Sequence, residues 1–248
     1  MKRSSLIQSK QKGFSLIEMM VAMLIGLIII AAVYIVFLSS QKSYRLSTGM
    51  MQVNDNGQFL VQFLQSDFQK AGWVDTDVES PEGHSLAMPV KDLLNNQKAG
   101  NSLNSDQITV RYYANQACDG AAAVNGVIEN TYQLVVVNDK TELQCNGIAL
   151  ASNVESFQLE YGVLTNNGIE YKDANGIADL SLIKTIRFAF IVASDRQNIT
   201  SSKNSTINNV LGEGPLNFSD GRYRQVFGST VVLNNRSNLP PESLLVTE

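Results

Sequence analysis

Apolar residues are crowded into one block near the start of the chain and thinned into periodic patterns after it. From Met19 to Leu38 the sequence reads MMVAMLIGLIIIAAVYIVFL, 20 residues without a charge, and a helix of that length matches the roughly 30 Å hydrocarbon thickness of a bilayer. Past Leu38 the apolar positions Leu46, Met50, Val53, Leu60, Leu64 and Phe68 recur at mostly three- and four-residue steps, with Gly57 completing the gap. That is one face of a helix. No proline occurs before Pro81, and Gly72 follows Lys70 and Ala71 as a C-terminal stop. The pattern predicts one helix from about Phe14 to Lys70, roughly 85 Å long. Gly49 and Gly57 each weaken it by about 1 kcal/mol relative to alanine and are expected to mark bends.

From about residue 86 the period shortens to that of strands, in the runs 107–113, 132–137, 154–163, 183–192 and 226–233, with Gly/Asn/Asp-rich turns between them. Alternation is imperfect from Ile183 to Ile191, as expected for a strand that packs on a helix. The predicted class is α+β: a long N-terminal helix, membrane-spanning in its first half, packed on an antiparallel β-sheet. The polar stretches 74–105 and 194–222 are expected as long surface loops. The expected organisation is a basic leader at 1–13, a spanning helix at 14–38, its continuation at 39–73, and a β-rich domain at 74–248.

Charge gives this arrangement a direction. The leader holds Lys2, Arg3, Lys10 and Lys12 and no acid, and without it 15 basic residues face 23 acidic ones, a net charge of −8. A basic excess on the leader side predicts the leader in the cytoplasm and the rest outside. No Lys/Arg cluster follows Arg45, so a groove binding nucleic acid directly is not expected. An ordinary secretory signal would have an apolar core of about 7–15 residues and a small-x-small cleavage site. This run is longer and lacks a clear site. A plain signal anchor fits the run but gives no reason for Glu18 to sit against the apolar block, where an acid costs up to about 3 kcal/mol unless paired or near the interface.

Read together, Lys10-Gln11-Lys12-Gly13-Phe14-Ser15-Leu16-Ile17-Glu18 and the apolar run resemble the class III signal of type IV pilins and pseudopilins. The resemblance implies cleavage by a prepilin peptidase between Gly13 and Phe14, methylation of the new amine of Phe14, and an assembly role for Glu18. Cleavage on the cytoplasmic side would remove the leader and leave the anchor intact. Glu18 would lie one helical turn from that amine, and either this amine within the subunit or the amine of a neighbouring subunit could neutralise it.

A second resemblance covers nearly the whole chain. The segment Asn54-Asp55-Asn56-Gly57-Gln58-Phe59, the run Asp67-Phe68-Gln69-Lys70-Ala71-Gly72-Trp73, then SDQITVRYY, NVESFQLEYG and YRQVFGSTVVLNN are similar in order and spacing to PilW-type minor pilins. This implies the type IV pilin fold and a low-abundance subunit held first in the inner membrane, with its C-terminal domain in the periplasm, and then in a surface pilus. It also implies partnership with other minor pilins and the major pilin in a complex that primes assembly, near the tip with a large adhesin. A minor pseudopilin of a type II secretion system shares the fold and stays open, as does a membrane-anchored enzyme or receptor. The YRQVFGSTVVLNN ending favours the pilus by resemblance.

Other candidate sites are few. Cys118 and Cys145 lie in the segment expected outside the cytoplasm, where a disulfide between them persists; two unpaired buried thiols are the alternative. Two cysteines and the remote His84 do not make a zinc set. The segment from Asp173 to Asp179 hints at a calcium loop but lacks an oxygen ligand at Ile177 and a glycine at Ala178, so a polar turn is expected. Sequons at Asn198, Asn204, Asn217 and Asn235 are read as chance in a Ser/Asn-rich region. There is one histidine and no HExxH, GxSxG or phosphate-loop motif, so neither a cofactor nor catalysis is expected.

Overall fold

The computed structural model describes residues 13–74, 89–98, 104–208 and 210–235. The leader residues 1–12 and His84 lie outside them. The chain divides into two compact units, Met1–Arg45 and Leu46–Glu248.

Helix α1 runs unbroken from Leu16 to Lys70. Within the first unit it is the whole of the described secondary structure. Its most apolar 18-residue window has a mean hydropathy of 3.0 and buries nothing inside the chain.

In the second unit the helix turns a narrow stripe inward, made of Gly49, Val53, Gly57, Leu60, Leu64, Asp67 and Phe68. Met50, expected in that stripe, is exposed, and Gly49 takes its place. The two glycines do not interrupt the helix. They are points of close approach: a Cβ on Gly49 would run into Ile199 Cδ1, and one on Gly57 would overlap the Phe227 ring. The helix ends where expected. Gly72 takes φ +81° and donates its N–H to Arg111 O at 2.8 Å, while Asn235 Nδ2 donates to Gln69 O at 2.7 Å. The Trp73 N–H, donating to Lys70 O at 2.8 Å, and the Asn235 side chain thus answer the open carbonyl end of the helix, while the Gly72 N–H ties the turn to β2.

Eleven strands follow among the described residues: β1 Val90–Lys98, β2 Asn104–Tyr113, β3 Val127–Val137, β4 Lys140–Cys145, β5 Ile148–Ser152, β6 Val154–Thr165, β7 Gly168–Lys172, β8 Ile183–Ala193, β9 Ser205–Ile207, β10 Leu216–Phe218 and β11 Arg224–Val232. They do not form one sheet. β1-β2-β3-β4-β5 is a five-stranded antiparallel sheet, β11-β8-β6-β7 a four-stranded one, and β9 and β10 a small ribbon. Phe68 on α1 ties the two large sheets together, its ring edge-on to Tyr132 of β3 at 5.5 Å and to Phe188 of β8 at 5.7 Å. Such aromatic pairs stabilise beyond the area they bury.

The five expected strands all lie on observed ones, but both expected loops need correction. The stretch 74–105 contains β1, which pairs with β2 through two register shifts. Its sequence VKDLLNNQK has no clean alternation, so periodicity could not reveal it. The stretch 194–222 contains β9 and β10, and its Ile207, Leu211, Leu216 and Phe218 pack with Val210 on Ala189 and Ile191 of β8. The inner face of β8 meets α1 through Phe188, and its other face meets this ribbon. Burial on both faces explains the imperfect alternation of β8.

Candidate functional site

The start of the helix carries the first group of candidate residues. Gly13, Phe14 and Ser15 are not helical, and Phe14 is 86% exposed. The Ser15 N–H donates to Glu18 Oε2 at 3.1 Å. With Leu16 as the first helical residue, Ser15 occupies the cap and Glu18 the third position, the spacing of a capping box. Glu18 therefore has a local partner at the helix end, where a negative charge also meets the positive end of the helix dipole. This capping role stands beside the assembly role that the resemblance implies, and its signal in the sequence is Ser-x-x-Glu ahead of an apolar run.

The other end of α1 carries a constellation that no motif announces. Asp67 is 5% exposed, and its hydrogen-bond partners among the described residues are neutral. Its Oδ1 accepts from the Tyr112 hydroxyl, and its Oδ2 accepts from the Tyr132 hydroxyl at 2.6 Å and from Asn130 Nδ2 at 3.0 Å. Three neutral donors on β2 and β3 thus solvate a buried carboxylate on the helix, as a buried charge requires. Burial first, and the Asp67 charge second, push both tyrosines above their ordinary value of 10. Donors lying 45, 63 and 65 residues from their acceptor leave no trace in local spacing.

The cysteines belong to the same neighbourhood. Cys118 and Cys145 are joined, with Cα atoms 6.2 Å apart. The Cys118 N–H donates to Asn130 Oδ1 at 2.9 Å, leaving the amide nitrogen of Asn130 to reach Asp67. Cys145 stands opposite Tyr132 in the β3–β4 register. The covalent link and the buried carboxylate are thus connected through one carboxamide.

A second polar cluster holds the far end of the four-stranded sheet. Arg224 on β11, 4% exposed at its side chain, binds Glu155 of β6 through Nε and Nη2, and reaches Asp220 Oδ2 at 2.6 Å. Arg222 adds Glu155 at 3.0 Å and Asn153 Oδ1 at 2.6 Å, and the Arg224 guanidinium lies 3.9 Å over the Phe218 ring. Hydrogen bonds from Arg224 hold the Asp220 carboxyl at about 2, below its usual 3.8. Every charge here is matched, so the cluster is a fastening of the 194–223 segment to β6.

Asp173 and Asp179 are turn caps: their side chains accept from Gly176 N and Ser181 N at 2.9 and 2.8 Å. Of the sequon asparagines, Asn235 caps α1 and Asn217 accepts from Thr206 Oγ1 at 2.8 Å.

Two family models match the chain. Residues 8–34 match the prokaryotic N-terminal methylation motif. Residues 111–235, just over half of the 248, match the model of type IV pilus-assembly protein W. No curated protein matches the chain. Among solved structures, a type IV-like pilin from Thermus thermophilus aligns at 12% identity and a TM-score of 0.45, over 75% of this chain and 99% of that one. The matched half holds Tyr112, Asn130, Tyr132, both cysteines and β11, and it follows a helix that opens on the methylation motif. The chain belongs to the type IV pilus-assembly protein W family.

Proposed function

We propose that the chain is a minor pilin of a type IV pilus. In this reading a prepilin peptidase cuts between Gly13 and Phe14, the amine of Phe14 is methylated, and the subunit waits in the inner membrane with its β domain in the periplasm. It then joins other minor pilins in a complex that primes assembly, near the tip of the pilus with a large adhesin. The observation that carries the reading is the succession on one chain of the methylation motif, a charge-free apolar stretch that buries nothing inside the chain, and a domain of the assembly protein W family.

The exposed apolar stretch needs a lipid or protein environment to cover it, and a filament core of packed helices would supply one after the bilayer. Glu18 has a part in that exchange. On the precursor it accepts from Ser15; after cleavage the charged amine of Phe14 lies on the same turn, and a neighbouring subunit's amine could neutralise Glu18 and fix axial register.

Intact-mass analysis of the subunit from its host tests processing: loss of residues 1–13 and one added methyl group are expected, and a mature terminus beyond Leu38 would defeat the proposal. Deletion of the gene, scored for surface pili in a retraction-deficient background, tests priming. Fewer pili at the wild-type level of secretion support the pilus; unchanged pili with failed secretion would assign the chain to a type II system.

A further inference from the structure

The two large sheets end in four outer strands, β1, β5, β7 and β11. An outer strand presents unpaired N–H and C=O groups that template another strand, and proteins block them with charges, bulges or shortness. β1 is blocked by Lys91, Asp92 and two register shifts. β5 and β7 are five residues each, and β7 carries Glu170 and Lys172. β11 has none of these devices. It is nine residues long, pairs with β8 in an unshifted register, and has neither charge nor proline from Gln225 to Val232.

The phase of the β8–β11 ladder is fixed at both ends. Ser194 N–H donates to Tyr223 O at 2.8 Å, and Leu233 N–H donates to Lys184 O at 2.9 Å. Antiparallel alternation then turns the odd-numbered residues of β11 towards β8 and aims the backbone groups of Val226, Gly228, Thr230 and Val232 at the free edge. The same four residues are exposed, Val226 at 40% and Val232 at 52%. The other face is held rigid, with Phe227 against Gly57 and Ser229 hydrogen-bonded to Gln65 of α1. Two charges beside the strand are committed: Arg224 to Glu155 and Asp220, and Arg187, opposite Thr230, to Glu160.

We infer that β11 is a strand-addition site for an extended, uncharged segment of a neighbouring assembly subunit. The class of partner rests on the minor-pilin reading; the site rests on the geometry. A charged partner strand would find no counter-ion along this edge, whereas a neutral, β-branched one would extend the four-stranded sheet.

The test uses the full chain in cells that build the assembly, with the photo-crosslinker benzoylphenylalanine at Val226 and, as control, at Ile169 of β7. Thr230→Pro removes an edge-pointing N–H and leaves the β8 ladder intact; Thr230→Lys adds the missing charge. Val226 should crosslink to a pilin-class subunit at an uncharged strand, and both substitutions should cut the yield at least tenfold while the purified chain melts within about 2 °C of wild type. Wild-type yield from Thr230→Pro, crosslinks from Ile169 and not Val226, or a product joining two copies of this chain would overturn the site. If the chain is found in pili without a Val226 crosslink, the site fails and the minor-pilin reading stands. A strand crosslink from Val226 to a subunit of a type II secretion system, with the chain absent from pili, would do the opposite, upholding the site and overturning the minor-pilin reading.

Discussion

Gly57 of α1 lies so close to Phe227 of β11 that a Cβ would overlap the ring. Alanine there would gain about 1 kcal/mol of helix propensity, yet overpacking costs about 1–3 kcal/mol. Gly57→Ala is therefore expected to lower the melting temperature of the β domain by several degrees, and Phe227→Leu beside it to restore part of the loss. Calorimetry of the two variants decides the matter, since a more stable Gly57→Ala would mean that the glycine is not a contact point.

Removing the acceptor at the top of the helix should cost more. Asp67→Ala leaves two hydroxyls and an amide without the oxygen atoms they bind, and each stranded buried donor costs about 1–3 kcal/mol. Denaturant unfolding should show a loss of at least about 3 kcal/mol, against about 1 kcal/mol for Tyr132→Phe, which keeps two of the donors. Equal losses in the two variants would mean that the carboxylate does not organise the cluster.

Alkaline stability follows from the same residues. Desolvation, then the Asp67 charge, raises Tyr112 and Tyr132, and burial raises Tyr161. The folded state keeps protons that the unfolded chain releases near 10, so stability is intact below that pH and falls as pH rises beyond it. Absorbance at 295 nm should show these three of the eight tyrosines ionising only as the protein unfolds. Free titration of all eight in folded protein would contradict this.

Acid acts elsewhere. Arg224 depresses Asp220 to about 2, so its contribution is present above the ordinary value near 3.8 and is lost as pH falls through about 2. Asp220→Asn should lower the melting temperature at neutral pH and flatten its decline between pH 4 and 2. An unchanged acid limb in that variant would show that other carboxylates set it.

Reduction of the Cys118–Cys145 link releases a loop spanning a sequence separation of 27, worth about 3 kcal/mol by chain entropy. Because the Cys118 N–H also orients Asn130, the loss should not simply add to that of Asn130→Ala. A double-mutant cycle reads the coupling, and strict additivity would confine the disulfide to its entropic effect.

Much of this architecture was legible because local forces dominate it. The apolar run, the stripe ending at Phe68 and the stop at Gly72 are one-dimensional signals, and α1 ends at Lys70. The strands without a clear periodic signal are β1, irregular in register, the short β4, β5 and β7, and the three-residue β9 and β10. Ser15 is readable as a cap once Glu18 is seen as its partner and not only as a charge. Asp67 was not readable, because nothing in DFQKAGW says that its side chain points inward to two tyrosines. Gly49 and Gly57 read as weaknesses of an isolated helix, and only the residues facing them show why small ones are needed.

The fastening of the helix end has a mechanical consequence. Asp67, the Gln69 carbonyl and the Gly72 amide are all held within one and a half turns, by β2, β3 and the residues after β11. Tension arriving along α1 from its apolar end would have to slide Val53, Leu60, Leu64 and Phe68 past their neighbours together before these last bonds could part. Loading a row of contacts in shear resists force better than peeling them one at a time, so a chain pulled by the apolar end of α1 would keep its β domain packed on the helix.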